Sequence, residues 1–357
     1  MPYLLTSNKK FTMHDLIIVG AGPAGLYTAK LCSESGIKTL VLEEHDEIGN
    51  PDHCSGLIST NIEKFVKIDE SWVENRVKGA VVHFMNNRLE LKKDNVAAYV
   101  INRTKFDKSL SKDLKARILT GSRVTGINFS EGCAEVKTQK GSYKCRMIAG
   151  CDGTNSVVAR NLGSSPKERL NGIIAITGEK NSGDFVELWF DKKLAGDGFI
   201  WKIPRGKTTE YGMMSSGARF KTLESFFNLK PGYDRKASVI PIGPTKTFFK
   251  RALLIGDAAA QVKPWSGGGV VYSLTCARIA ADVIKESFGK NDFSEAALER
   301  YEKEWVAKVG KNITAGLMFR ELYKESDEKE LDYMFRSAQK ISGINKLDMD
   351  FPLLNFL

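Results

Sequence analysis

The sequence predicts an α/β protein in which a discontinuous dinucleotide-binding domain is interrupted by an antiparallel sheet and followed by helices. Three observations predict it. A glycine-rich strand, turn and helix fill Asp15 to Glu43, apolar residues alternate through the middle third, and a second glycine-rich turn follows an apolar strand after Ala252. In the first unit the apolar run Leu16–Val19 meets Gly20, Gly22 and Gly25. Gly20 allows the tight turn, Gly22 lets a pyrophosphate approach the backbone, and Gly25 lets the helix lie close to its strand. The small residues Ala24 and Ala29 suit that close packing, and the first helical turn offers free N–H groups and a positive dipole end to phosphates. A second apolar strand, Thr39–Leu42, delivers Glu43 to where a ribose hydroxyl pair would sit.

The elements that follow are shorter. Residues 43–59 carry Gly49, Pro51 and Gly56 among polar residues and read as a long loop. Loops leaving the carboxyl end of a parallel strand line the ligand crevice in such folds. A helix is expected near Asn61–Asn75, then β-prone runs at Val77–Phe84 and Val96–Ile101. Phe106, Leu110 and Leu114 recur every four positions and predict a helix over Arg103–Lys115. Short strands are expected near Ile118, Val124, Ala134–Thr138 and Met147–Ala149, the last ending at Cys151, Asp152 and Gly153. In Val186, Leu188 and Phe190, and again in Phe199, Trp201 and Ile203, apolar residues recur every second position, as on one face of an antiparallel sheet. Ala252–Ile255 then resumes the nucleotide domain and leads through Gly256, Asp257 and a glycine-rich loop to a helix at Val270–Ile284. A basic amphipathic helix near Glu295–Val309 follows, on the spacing of Leu298, Tyr301, Trp305 and Val309. The expected domains are therefore residues 13–75, 99–170 and 250–290 for the nucleotide, 76–98 and 171–249 for substrate, and 291–357 as a helical C-terminal region. Residues 1–12 read as an extension before a start at Met13.

Composition narrows the function classes. At 357 residues and 42% hydrophobic content the chain can bury a substantial core. No uninterrupted apolar stretch reaches the ~18 residues needed to cross a bilayer, because Asp257, Gln261 and Lys263 break the run after Leu253. The formal net charge of +10 admits two readings: a lysine-rich solvated surface, or attraction to anionic partners such as lipid headgroups. Nucleic acid is not an expected partner. Six cysteines without a CxxC pair fit a reducing, cytoplasmic location, with peripheral membrane contact as the alternative the charge leaves open. His45, Asp52, His53 and Cys54 are near one another but lack metal-site spacing, so no metal is expected.

Several side chains stand out chemically. Asp257 follows a buried strand and has few local partners, so it is either a helix N-cap or, with Gly267–Gly269 between it and the helix proper, a carboxylate whose burial calls for donors from a ligand. Gly267, Gly268 and Gly269 permit backbone N–H groups to turn towards an electron-rich ring edge, the electrostatics of an oxyanion hole. Cys54 lies in a polar loop, where it is either a small buried hydrophobe or a group that shapes a site and supplies a proton. Arg103, at a helix start, is placed to fork onto ligand oxygens. Asp152 is equally a turn-former and a support on the pyrophosphate side. Phe199, Trp201 and Trp265 either wall an apolar channel or fill a core.

Three separated stretches, GAGPAG with Glu43, CDGTNSVVAR at 151–160 and ALLIGDAAAQVKPWSGGG at 252–269, together resemble the FAD-dependent superfamily with the aromatic-hydroxylase type of fold. Within it, IGNPDHCSG, VINRTKFDKSL, GFIWKIPRG and PWSGGG are similar to the geranylgeranyl reductases, including the archaeal digeranylgeranylglycerophospholipid reductases. The resemblance implies a Rossmann-like FAD-binding domain, with Ala24 and Glu43 at the ADP half and Cys54 and Ser55 beside the flavin. It further implies that Arg103 contacts the cofactor, that Val124 meets adenine through its backbone, and that Asp257 bonds the ribityl or ribose region. Gly269 and Val270 would present N–H groups to the isoalloxazine carbonyl. The implied reaction is saturation of carbon–carbon double bonds in an isoprenoid or prenylated lipid by hydride from flavin N5, with electrons from a ferredoxin-like carrier or NAD(P)H. A monooxygenase or halogenase on the same fold and a non-catalytic flavin- or lipid-binding protein are the competing readings. Residues 326–357 match nothing in the resemblance.

Overall fold

Two large sheets organise the computed structural model, which describes residues 13–352. The extension expected at 1–12 lies outside the described residues. The first sheet has the order Phe248–Phe249, Ala252–Leu254, Gly141–Gly150, Met13–Val19, Thr39–Leu42, Arg117–Leu119, with the hairpin Val124–Phe129 and Ala134–Thr138 branching from its long third strand. Its central pairings are parallel: Ile18 lies opposite Ala149 on one side and Val41 on the other. Ala149 in turn lies opposite Leu253, which brings the late strand beside the early ones. Strands buried on both faces need continuous apolar runs, and Leu16, Ile17, Ile18, Leu40, Val41 and Leu253 are fully buried.

Helices Pro23–Glu34 and Val270–Lys290 lie side by side on one face of this sheet. The second carries Leu274, Ala277, Ala280, Ala281 and Ile284 inward, small enough for the two helices to approach closely. The other large sheet has the order Asp234–Ile242, Glu168–Thr177, Thr209–Ser215, Phe199–Pro204, Phe185–Phe190, Gly79–Phe84, Asn87–Lys92. It is antiparallel throughout except where Phe185–Phe190 runs parallel to Gly79–Phe84. A small third sheet, Leu57–Ser59, Ala98–Ile101 and Val73–Val77, bridges the two.

The helix expected at Asn61–Asn75 is absent. Only a short 3-10 turn, Thr60–Lys64, forms there, and Val73–Val77 is a strand. Val73, Val77 and the buried Trp72 are better served by the small sheet, where Val77 pairs with Ala98 and Trp72 packs on Phe106 at a ring separation of 5.3 Å. The basic helix stops at Trp305; a π turn over Val306–Gly310 leads into a further helix, Lys311–Glu325. No helix among the described residues is long and apolar enough to cross a membrane.

Candidate functional site

At the nucleotide end, the backbone itself enforces the glycine pattern. Gly20 has φ +98°, and a Cβ on it would stand 2.4 Å from the Cys151 carbonyl oxygen. A Cβ on Gly25 would stand 2.0 Å from the Gly20 carbonyl oxygen, so the helix is pressed against its own turn. At Gly22 a Cβ would meet nothing within 4 Å, which leaves that face open for a ligand. The helix begins with Pro23 and has neither a side-chain cap nor an acid in its first turn, so its N–H groups are left for an anion. Glu43 is held at this turn: Oε2 accepts the Ala21 N–H at 2.7 Å, and Oε1 accepts the His45 N–H at 2.9 Å. Its carbonyl accepts the Ser122 N–H at 2.7 Å, which brings the approach to Val124 alongside. Asp152 makes the hydrogen bonds of a turn residue. Its carboxylate accepts Ser156 Oγ at 2.6 Å and the N–H groups of Val157 and Val158 at 2.6 and 3.1 Å, capping the helix Val157–Asn161.

The second glycine cluster meets the first directly. Gly256, at φ +71°, leaves a Cβ position 3.2 Å from Ala24 Cβ and 2.9 Å from Ser273 Oγ, so helix Pro23–Glu34, this turn and helix Val270–Lys290 converge on one point. Beside it the Asp257 carboxylate accepts no hydrogen bond from the described residues. Burial raises its pKa, and the positive charge of Arg103 only partly opposes this. A carboxylate only partly exposed, with no donor among the described residues, is what a hydroxyl-rich ligand satisfies.

Each of the three consecutive glycines is required by a different neighbour. A Cβ on Gly267 would stand 3.0 Å from Ile240 and from Met214 on the seven-stranded sheet, one on Gly268 2.7 Å from Lys263 Cε, and one on Gly269 2.9 Å from Asp257 Oδ1. The turn is thus clamped between sheet, lysine and aspartate, and Gly269 and Val270 point N–H groups that find no acceptor among the described residues.

Cys54 is half-buried in the long loop, its N–H donating to Asp52 Oδ1 at 2.9 Å and its sulfur accepting the Gly56 N–H at 3.4 Å. Arg103 faces both it and Asp257 electrostatically. However, the Arg103 fork is already used: Nε and Nη2 each reach an Asp107 oxygen at 3.0 Å, in a buried pair one helical turn long. The outer edge of the guanidinium, Nη1 with the second N–H of Nη2, makes no hydrogen bond among the described residues.

Sequence reasoning missed the anchors of this loop. Asp52 pairs with Lys236 of the substrate sheet at 2.8 Å. Buried Arg205 donates to the Ser55 carbonyl, to the Ile101 carbonyl at 3.0 Å, to Glu74 Oε2 at 2.8 Å and to Glu210 Oε2 at 2.7 Å. Glu210 is fully buried; burial outweighs the arginine and pushes its pKa up to about 7. Its other oxygen accepts Trp201 Nε1 at 2.9 Å. One detectable signal was a glutamate at a position whose sheet neighbours Gly212 and Met214 share an inward face.

Phe199 and Trp201 lie on the sheet face that meets Val262 and the glycine turn, with their rings 5.5 Å apart and nearly all their surface packed. Trp265 rests on helix Lys311–Glu325, where a Cβ on Gly316 would come within 2.5 Å of its indole.

Comparison with known proteins agrees with this geometry. Residues 13–211 match the family described as the FAD binding domain. The chain belongs to that family. Its cofactor is FAD, and it is an FAD-dependent oxidoreductase. It is 26% identical to the digeranylgeranylglycerophospholipid reductase of Methanocaldococcus jannaschii, over 93% of each chain. It is 27% identical to digeranylgeranylglycerophospholipid reductase 2 of Methanothermobacter thermautotrophicus, over 95% of this chain and 97% of that one. Among solved structures, a geranylgeranyl bacteriochlorophyll reductase-like protein from Thermoplasma acidophilum superposes with a TM-score of 0.85 at 22% identity, covering 97% and 99% of the two chains. The flavin-dependent halogenase CmlS superposes with a TM-score of 0.70 at 16% identity, covering 94% of this chain and 72% of the other. Both superpositions speak to the fold.

Proposed function

We propose that the protein saturates carbon–carbon double bonds in the geranylgeranyl chains of a glycerophospholipid. The observation that carries this reading is that Arg103 lies within electrostatic reach of both Cys54 and the Asp257 carboxylate, which takes no hydrogen bond from the described residues and sits beside the open N-terminus of helix Val270–Lys290. The names of the relatives supply the substrate class. When bound, FAD would supply the hydride that one alkene carbon takes up. The chain does the rest. Glu43, Ala24 and the free N–H groups after Gly22 hold the ADP half, with Val124 beside the adenine. Asp257 accepts from a ribityl or ribose hydroxyl, and the N–H groups of Gly269 and Val270 stabilise negative charge at the ring's pyrimidine edge. The Cys54 thiol donates a proton to the second alkene carbon and is reprotonated from solvent, with Arg103 steadying the intervening thiolate. Phe199 and Trp201 help keep the seam between sheet and turn dry. Electrons reach the flavin from a ferredoxin-like carrier or NAD(P)H, and the lipid is met at a membrane surface by a chain of net charge +10.

Anaerobic incubation of the dithionite-reduced protein with a digeranylgeranyl glycerophosphate, read by mass spectrometry, tests this. Product heavier by two hydrogens per saturated bond is expected. A gain of oxygen in air would instead support the monooxygenase reading, and flavin that never reoxidises with any prenylated lipid would support a binding protein. Undiminished turnover in Cys54→Ala removes the thiol from the mechanism.

A further inference from the structure

The segment 348–351, in the part of the chain whose sequence matched nothing in the resemblance, reaches back to the glycine turn. Asp350 is 2% exposed, and its Oδ1 pairs with Lys263 Nζ at 2.8 Å. Its Oδ2 accepts from Asn61 Nδ2 at 3.0 Å and from Ser59 Oγ, while its carbonyl accepts the Tyr272 hydroxyl at 2.6 Å. Asp348 accepts from Asn61 at 3.0 Å and from the N–H groups of Asp350 and Phe351 at 2.8 and 2.9 Å, fixing the tail's shape. Every partner outside the tail belongs to the nucleotide half: Ser59 and Asn61 at the first 3-10 turn, Lys263 in the glycine loop, Tyr272 in the first turn of the helix that follows.

Lys263 is equally enclosed, at 4% exposure. Its N–H donates to the Gly268 carbonyl at 3.0 Å, its carbonyl accepts the Gly267 N–H at 2.9 Å, and its ammonium lies 3.1 Å from the position of a Cβ on Gly268. A positive charge is therefore fixed at the turn that faces the flavin, and the carboxylate opposing it comes from the far end of the chain.

We infer that Asp350 is a positioning residue that sets the reduction potential of bound FAD by offsetting the charge of Lys263 at the glycine turn. The inference rests on the FAD site described above. Two-electron reduction places negative charge on the pyrimidine side of the ring, and a nearby buried ammonium favours the reduced form. Asp350 subtracts from that preference while holding Lys263 in place. A structural strap alone would move stability and leave the potential where it was.

The test is spectroelectrochemical titration of the flavin-loaded protein. Asp350→Asn keeps the shape and an acceptor for Lys263 but removes the charge; the potential should rise, by about 30 mV if the preference for reduced over oxidised FAD grows tenfold. Lys263→Gln should shift it downward, and the double variant should return towards the parent value. Single variants that leave the potential unchanged, or that move it in the same direction, overturn the inference. If Asp350→Asn does not load flavin, the downward shift in Lys263→Gln decides the matter. A parent protein that takes up no FAD would refute the site itself, an outcome distinct from loaded flavin whose potential ignores both residues.

Discussion

Asp257→Asn separates the cost of the site from its use. The Asp257 carboxylate has no hydrogen-bond donor among the described residues, and burial raises its pKa above the ordinary 3.8. A folded-state pKa above the unfolded one means that stability is fullest below pH 3.8 and is lost as pH rises through the folded value. Asparagine has no charge to desolvate, so the apo variant should melt higher than the parent at pH 7, and the difference should shrink towards pH 4. FAD binding should move the other way. Hydrogen bonds to a charged partner contribute about 1.5–3 kcal/mol, and asparagine retains one oxygen acceptor, so FAD affinity should fall about 10- to 100-fold. Thermal melts of apo protein across pH, paired with FAD titration by flavin fluorescence quenching, measure both. An apo variant that melts lower at pH 7, or FAD affinity within twofold of the parent, would refute the reasoning that this carboxylate awaits a ligand.

Other outcomes follow from neighbouring geometry. Gly25→Ala places a Cβ 2.0 Å from the Gly20 carbonyl oxygen; the helix must shift, at a cost of about 3 kcal/mol or more, and copurified FAD should drop sharply while Gly22→Ala keeps the fold's melting temperature within a few degrees. Glu210→Gln removes a carboxyl whose pKa rises from 4.5 to about 7, so its stability relative to the parent should improve by about 3 kcal/mol between pH 4 and 8, measured by urea unfolding. Arg205→Met leaves buried Glu210 without its cation and should cost about 3–5 kcal/mol at pH 8, with a smaller loss at pH 5 where the carboxyl is protonated. Lys236→Met frees Asp52 from the substrate sheet and should speed alkylation of Cys54 several-fold with little change in melting temperature.

The parts legible in sequence were those where one local rule governs. Gly20 and Gly25 are dictated by contacts within their own unit, and the alternation of Phe199, Trp201 and Ile203 follows from the two-residue repeat of a strand. The failures lay where distant chain decides. Asn61–Asn75 has enough helix-compatible spacing to mislead, but Val73 and Val77 pair with a strand beyond a separate hairpin, and sheet pairing overrides local preference. The Arg103–Asp107 pair has helical spacing that sequence displays, but nothing in the local pattern says that both are buried. Arg205, Glu210 and Lys236 follow the same logic: charged residues on strands or just beyond them declare themselves only when the opposing loop is known. Asp350 had no periodic signal at all, since it belongs to neither helix nor strand.

The contact of Gly256 with Ala24, made possible by a missing side chain, has a consequence for biosynthesis. On a growing chain, the strand Met13–Val19 and the helix after it emerge early but cannot finish a cofactor cleft, because one neighbouring strand is Gly141–Gly150 and the opposing wall begins at Gly256. Contacts at such sequence separation form late and favour the full-length chain over any fragment. FAD should therefore engage after release from the ribosome, and prematurely terminated chains ending before Ala252 should leave the ribosome colourless.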